Sequence, residues 1–401
     1  MAGGRPVTLP PVRLILASNH LGLGGSESYL LTVAEQLERL GHDTTLYARE
    51  LGAGADLARS RGFRVVEEGR LPDDCDAALV QDAGVSLDLA ARYQGARQVF
   101  IAHSETLDLQ LPPQLEGLVS AVVALNDRVA ERLRALAIPA PVMRLRQPID
   151  TERFVPGAPL PERPRRALLL SNNAVADRLA MLKFACAAAG MELVRVGGEA
   201  GQTSDPRNQL VEADVVIGYG RSILEAMACG RAAYVYDRNG SDGWVTADSY
   251  GEIEAGGFAG RSGWMIADRR TLEADLARFD PAMGPVNHDL VIVHHRANVH
   301  AQELVELIET ARGRAPVPRG PLEEMARLVR MEWRARVDAQ ALVGEQARLQ
   351  AERHRLERRV EEVREEAAAR TAAAFRGTLS WRLTKPIRSV GRLLARLGIG
   401  R

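Results

Sequence analysis

The chain has 401 residues, 46% of them hydrophobic, which is enough to bury two cores of ordinary size and argues against one compact domain. Its 52 basic and 52 acidic residues cancel, so no overall field favours nucleic acid and charge must be read locally. Only Lys183 and Lys385 are lysines; the other basic residues are arginines, so a single arginine carries little functional information.

From 12 to 146, the runs VRLILA, TTLYA, AALVQ, RQVFIA and SAVVAL alternate with helical segments such as 27–40 and 128–137. Strands separated by helices in this way predict a parallel sheet covered on both faces. Four prolines in 156–164 mark a hinge, after which RALLLS, a helix over 175–189, MELVRV, ADVVIG, a helix after Gly220 and AAYVYD restart the pattern. The predicted fold class is α/β, with two doubly wound, Rossmann-like domains facing a cleft. Their expected bounds are 1–150 and 166–288, with 151–165 as linker and 289–314 as a closing C-terminal helix.

A second proline-rich break at 315–321 precedes a change of character. Leu328, Ala335, Leu342, Leu349, Leu356 and Val363 recur at every seventh residue, whereas the companion positions, among them Glu332, Gln346 and Arg353, are mixed. This predicts a long coiled-coil helix over 322–374, paired with another copy or another protein. The alternative is a solvated single helix held by Glu/Arg pairs. The tail 375–401 has seven basic residues and no acidic one, interleaved with Trp381 and aliphatic residues. That composition suits an anionic membrane surface; packing on the protein's own acidic helix is the other reading.

Three scattered cysteines, Cys75, Cys186 and Cys229, fit buried thiols in a reducing compartment rather than a disulfide framework. No apolar run approaches the roughly 18 residues of a membrane span, and 12–17 is too short for a signal-peptide core. The expected location is cytoplasmic, peripheral at the inner face of the membrane where the tail meets lipid.

The most informative stretch for chemistry is EADVVIGYGRSILEAMACG at 212–230, an apolar strand running through a glycine-bracketed turn into a helix. Helix N-termini carry unpaired N–H groups and a positive dipole end, and Gly218 and Gly220 let an anion approach the backbone near Arg221 and Ser222. A diphosphate fits this geometry. Glu225, one turn further in, suits a ribose or sugar hydroxyl. Ligands in open α/β sheets sit beyond the carboxyl ends of the strands, which adds Gly24, Gly25 and Glu27 after the first strand, His103 and Ser104 after RQVFIA, and Asn172 after RALLLS.

Two other patterns are set aside. Asp74-Cys75-Asp76 precedes its strand and so lies at the wrong sheet end, and His288, His294, His295 and His300 lack a clean metal-ligand spacing. No metal is expected.

Together, GGSE at 24–27, GHDTTLYA at 41–48, the His of FIAHS at 100–104, RQPIDTERFVP at 146–156 and EAMACG at 225–230 resemble the retaining glycosyltransferases of family 4. The likeness spans 12–310 and implies the two-domain GT-B fold, with the first domain on the acceptor side and the second holding the nucleotide-sugar. It implies that Glu225 meets the ribose, that Gly25 and His103 line the reacting sugar, and that no metal or other cofactor is needed. Glu27 and Ser104 fall on the acceptor side. The implied activity is sugar transfer with retention onto a lipid-linked or polysaccharide acceptor in envelope glycan synthesis. SWRLTKPIR at 380–388 resembles segments near the ends of bacterial enzymes that assemble surface polysaccharides.

Two departures stand out. The family's first glutamate, eight residues before the second, is Ile217 here. The usual Arg and Lys after the first strand of the nucleotide domain are displaced, and Arg178 or Arg221 is the expected substitute on phosphate. A catalytically impaired scaffold acting through its coiled coil is therefore the alternative function.

Overall fold

The computed structural model describes residues 11–172, 176–198, 201, 203, 205–237, 239–260, 268–313 and 317–378. The expected membrane-facing tail from 379 onward lies outside these residues.

Every predicted run in the first half forms a strand. The sheet consists of β1 (Arg13–Leu21), β2 (Asp43–Leu51), the two-residue β3 (Val65–Val66), β4 (Ala77–Val80), β5 (Arg97–Ala102), β6 (Ala121–Ala124) and β7 (Val142–Arg144), all parallel. Its spatial order is β3-β2-β1-β4-β5-β6-β7, so strand order reverses between β1 and β4. Alternate side chains take opposite faces: Leu14 and Leu16 enter one core, Ile15 and Ala17 the other. Helices α1 (Gly25–Arg39), α2 (Ala53–Ser60), α3 (Ala83–Arg92) and α4 (Asp127–Ala135) cover these faces.

The second sheet has order β12-β11-β10-β8-β9, from β8 (Arg166–Leu170), β9 (Glu192–Val196), β10 (Val215–Gly218), β11 (Ala232–Asp237) and β12 (Gly240–Trp244). Only β12 is antiparallel; it is a glycine-rich edge strand made by a hairpin, which apolar patterning could not announce. The reversal here falls between β8 and β10, and the crevice beyond their carboxyl ends is the default ligand site. Helices α5 (Ala176–Ala188), α6 (Arg207–Glu212), α7 (Arg221–Ala228), α8 (Tyr250–Ala255) and α9 (Arg269–Leu276) flank this sheet.

The chain then crosses back. Helix α10 (Met283–His294) buries Val291 in the second domain's core, whereas α11 (Ala297–Thr310) buries Ala301, Leu304 and Ile308 in the first domain's core. The outgoing and returning crossings are stitched side by side: Ile149 N–H donates to the His295 carbonyl at 2.7 Å and Ala297 N–H donates to the Ile149 carbonyl at 3.0 Å. The His295 ring fills the join, with Nδ1 2.8 Å from the Gln147 carbonyl and Nε2 3.0 Å from the Tyr250 hydroxyl. His300 Nε2 lies 2.8 Å from the Tyr29 hydroxyl in the same region. Two of the four histidines that crowd this stretch of sequence, His295 and His300, therefore hold the interdomain crossing, whereas His288 Nδ1 lies 2.9 Å from the Ala228 carbonyl and His294 stacks on Tyr250.

The last helix, α12 (Arg319–Gly377), begins by burying Leu322 and Ala326 in the first domain's core, and Arg330 pairs with Glu68 at 2.8 Å. From Met331 the described residues form a second unit, a helix whose Leu342, Leu349 and Leu356 are 70%, 55% and 58% exposed. No helix among the described residues is long and apolar enough to cross a membrane.

Burial pushes His295 and His300 each down to about 3, so both are neutral in the native state near neutrality. A depressed histidine contributes stability that is complete above its unfolded value near 6.5 and is lost as pH falls toward 3. Each should tilt stability by about 1.4 kcal/mol per pH unit in that window. His295→Gln, which retains hydrogen bonding without titrating, should flatten the dependence by one histidine's worth in urea unfolding between pH 7.5 and 4.5. An unaltered slope would contradict the buried neutral assignment.

Candidate active site

The turn after β10 is built by two glycines with different tasks. A Cβ on Gly218 would sit 2.6 Å from Ser222 Oγ and 2.9 Å from the Leu170 carbonyl, so the backbones of β8 and β10 meet only because that atom is absent. Gly220 has φ 57° and ψ −130°, a conformation essentially reserved for glycine, and its N–H donates to the Phe258 carbonyl at 2.7 Å. Ser222 closes the turn, its Oγ donating to the Tyr219 carbonyl at 2.8 Å and accepting from Tyr219 N–H at 3.3 Å. The start of α7 thus borders the cleft: Ile223 N–H donates to the Gly220 carbonyl at 3.2 Å, whereas the Arg221 and Ser222 N–H groups precede any intrahelical acceptor.

A cavity with about 220 Å³ of space open to water lies between the two domains. The first domain lines it with Gly24 and Gly25 at the start of α1, and with Glu35 and Arg61 further along. The second contributes Ser171 and Asn172 after β8, Gly197 after β9, and Tyr219, Arg221, Ser222 and Glu225 around α7. Gly25 faces open space, with nothing within 4 Å of where a Cβ would stand. Gly197, at φ 101°, brings its loop against Asn172, whose Oδ1 accepts from Gly198 N–H at 3.2 Å.

Arg221 is the most constrained side chain here. Although it lines the cavity, its guanidinium is buried and bonded three ways: Nε to Glu225 Oε1 at 3.0 Å, Nη1 to the Pro148 carbonyl at 2.9 Å and Nη2 to Thr32 Oγ1 at 2.7 Å. It ties α7 to α1 and to the crossing segment, and all three donating nitrogens are already engaged. Burial raises the Glu225 carboxyl above its ordinary range while the adjacent Arg221 charge pulls it back. Glu225 therefore faces the cavity with Oε1 fixed in place.

The remaining expected residues are placed as follows. Arg178 does not line the cavity; its charge acts on Tyr236, a residue of β11. His103 sits behind the cavity wall, its ring edge-on to Tyr29 at 5.1 Å between centroids. Its Nε2 is buried without a hydrogen-bond partner among the described residues, and burial, reinforced by Arg221, lowers it to about 3. It is a neutral imidazole with one unspent hydrogen-bonding atom. Ser104 spends its Oγ within its own loop, accepting from Thr106 and Leu107 N–H at 3.2 and 3.0 Å. Glu27 is half-buried, accepts from Ser26 Oγ at 2.9 Å and packs under Gly24 without reaching the cavity. Ile217, in the position of the missing glutamate, is fully buried in β10. Asp74 and Asp76 both pair with Arg13, at 2.9 and 2.8 Å.

The structure also shows residues that sequence patterning did not single out. Arg153 and Arg61 bring positive charge to the cavity from the crossing segment and from the end of α2. Arg153 Nη2 is 3.5 Å from Asp205, and its Nε is buried without a partner among the described residues. Arg61 is lowered by burial and then by Arg153, which shows two guanidinium groups sharing one space. The only signal available was Arg153 within RQPIDTERFVP, where Asp150 Oδ1 accepts from Glu152 and Arg153 N–H at 3.0 and 3.1 Å and holds the turn.

No protein-family model and no curated protein sequence matches the chain. Solved structures do share its fold. Anabaena Alr3699/HepE, in complex with UDP and glucose, aligns over 75% of this chain and all of its own, at 11% identity and TM-score 0.55. An alpha-glucosyltransferase in complex with UDP and a 13-mer DNA containing a HMU base aligns over 75% of this chain and 100% of its own, at 13% identity and TM-score 0.55. Sucrose-phosphate synthase (tll1590) from Thermosynechococcus elongatus aligns over 74% and 98%, at 14% identity and TM-score 0.52. Two parallel α/β sheets joined by a double crossing give the chain the GT-B architecture, followed by the long helix α12.

Gly220, in the turn before α7, and Gly25, on the cavity wall, make a controlled comparison. Gly220→Ala forces a side chain into a glycine-only conformation and should lower unfolding free energy by about 1–3 kcal/mol. Gly25→Ala has open space and a helical position, and should cost nothing measurable. Equal losses in urea titrations would mean that the turn is not held in the conformation described.

Proposed function

We propose that the chain is a glycosyltransferase that moves a sugar from a nucleotide-sugar, with retention, onto a lipid-linked or polysaccharide acceptor at the cytoplasmic face of a membrane. The observation that carries this reading is the start of α7 opening on a cavity shared by both domains, with Glu225 one turn inside it. The GT-B architecture, solved elsewhere with UDP bound, supports a nucleotide-sugar donor. Retention and the class of acceptor rest on the sequence resemblance to family 4.

In this reading the donor diphosphate lies against the N–H groups of Arg221 and Ser222, and the ribose hydroxyls donate to Glu225. The bond between the anomeric carbon and the diphosphate oxygen breaks, a bond to the acceptor hydroxyl oxygen forms on the same face, and the acceptor proton passes to the departing phosphate. The sugar becomes oxocarbenium-like on the way, as in other glycosyl chemistry. Prepositioned donors that stabilise the leaving anion lower that barrier without a metal. His103, which the family resemblance sets beside the reacting sugar, stands behind the cavity wall as a neutral imidazole. Arg153 and Arg61 supply the cationic surroundings that the sequence led us to expect from Arg178 or Arg221.

Ile217 favours the second reading, a scaffold that has kept the fold and lost turnover, because a buried aliphatic replaces the carboxylate that would grip the sugar. Release of nucleoside diphosphate across a panel of nucleotide-sugars separates the two. Glu225→Gln keeps an acceptor for Arg221 Nε but leaves that charge unpaired, so stability should fall as well, and the expected roughly tenfold to hundredfold loss of turnover is read per folded molecule. Arg153→Met should weaken nucleoside diphosphate binding with little effect on stability. If no donor is consumed by the wild type, the scaffold reading stands and the enzymatic one is lost.

A further inference from the structure

We propose that the second unit pairs with the same unit of a second copy of the chain, antiparallel, with Gln346 of one helix beside Leu349 of the other. The starting point is a long helix that displays Leu342, Leu349, Leu356, Val360 and Val363 at 49–70% exposure. Its intrahelical ion pairs, such as Arg336–Glu332 at 3.3 Å and Arg353–Glu357 at 3.4 Å, lie on exposed side chains and cannot cover that seam.

The side chains of the mixed seam decide the orientation. In a parallel, in-register pair each seam position faces its own copy. Glu332 would meet Glu332 and Arg353 would meet Arg353 inside the contact, and Ala335 and Ala339 would each stack on alanine and leave gaps. On the flanks, Glu352 would face Glu357 and Arg359 would face Arg364. Every charged pairing is repulsive.

Reversing one helix removes these conflicts, because in antiparallel pairs the two seams face each other. With Gln346 beside Leu349, Ala339 packs on Leu356 and Ala335 on Val360, so small residues meet large ones. Arg353 lies against Leu342, where its stem covers the leucine and its charged end reaches water. Arg336 then faces Glu357, and Asp338 faces Arg359. One kind of like-charged flank contact remains, Glu345 with Glu352, repeated by the two-fold axis. Sliding by one heptad sets Asp338 against Glu366 and Arg336 against Arg364 in one direction and Asp338 against Glu352 in the other, and in both it loses the Arg336–Glu357 and Asp338–Arg359 pairs, which selects this register. The overlap, 332–363, is about 48 Å long at 1.5 Å per residue.

Sedimentation equilibrium of the full chain should show a monomer–dimer equilibrium, shifted to monomer by Leu342→Glu combined with Leu349→Glu. Under oxidation, a chain carrying both Ala335→Cys and Val360→Cys should form a covalent dimer, whereas either substitution alone should not exceed the wild-type background. Arg359→Glu distinguishes the orientations without a cross-link. It breaks the Asp338 contact in the antiparallel pair and should weaken association roughly three- to tenfold, whereas in a parallel pair it would face Arg364 and tighten it. A chain that stays monomeric at all concentrations, covalent dimers from both single cysteines, or pairing only with a different protein would each overturn the proposal.

Discussion

The buried guanidinium of Arg221 is the interaction on which the cleft depends. It joins helix α7 of the second domain to Thr32 of the first and to the Pro148 carbonyl on the segment between them, while fixing Glu225 at the cavity wall. Taking this group out of water costs several kcal/mol, which a salt bridge and two further hydrogen bonds offset only because each meets a real acceptor. Removing either charge would leave the other buried and uncompensated, a loss of about 3–5 kcal/mol. Cleft geometry and local stability are therefore the same property of this molecule.

That commitment redistributes charge across the cavity. With all three guanidinium nitrogens tied to the protein, Arg221 is poorly placed to follow a phosphate, and Arg178 lies outside the cavity. The helix start, made accessible by Gly218 and Gly220, then carries more of the anion binding in the proposed reaction. Arg153 and Arg61 share a space in which two guanidinium groups repel, an arrangement that an incoming anion would relieve. His103 follows the same logic from the neutral side: sealed beside Tyr29, it keeps an uncharged ring whose Nε2 has no bond to lose.

The architecture was legible because apolar periodicity reports burial, and nine of the strands are buried or, for β9, half-buried runs long enough to show it. β3, β7 and β12 were not, being respectively two residues, three residues and glycine-rich, so that pairing rather than composition makes them strands. The crossing at Ile149 and Arg296 was equally hidden, since nothing local marks two segments that become neighbours only through the fold. In the site, Glu225, Gly25, Ser222 and Asn172 were readable from their places after strands. Arg61 was not, because it lies at the end of a helix and reaches the cavity through tertiary packing alone. Arg221 was noticed for its charge, but its partners Thr32 and Pro148 are remote in sequence and no local pattern connects them.

The most direct measurement is a crystal structure with a nucleoside diphosphate bound. Phosphate oxygens are predicted within about 2.7–3.2 Å of the Arg221 and Ser222 backbone N–H groups, with the ribose on Glu225 and Arg221 still bonded to Thr32. Phosphates seated elsewhere, or Arg221 released from Thr32 to hold them, would contradict this arrangement.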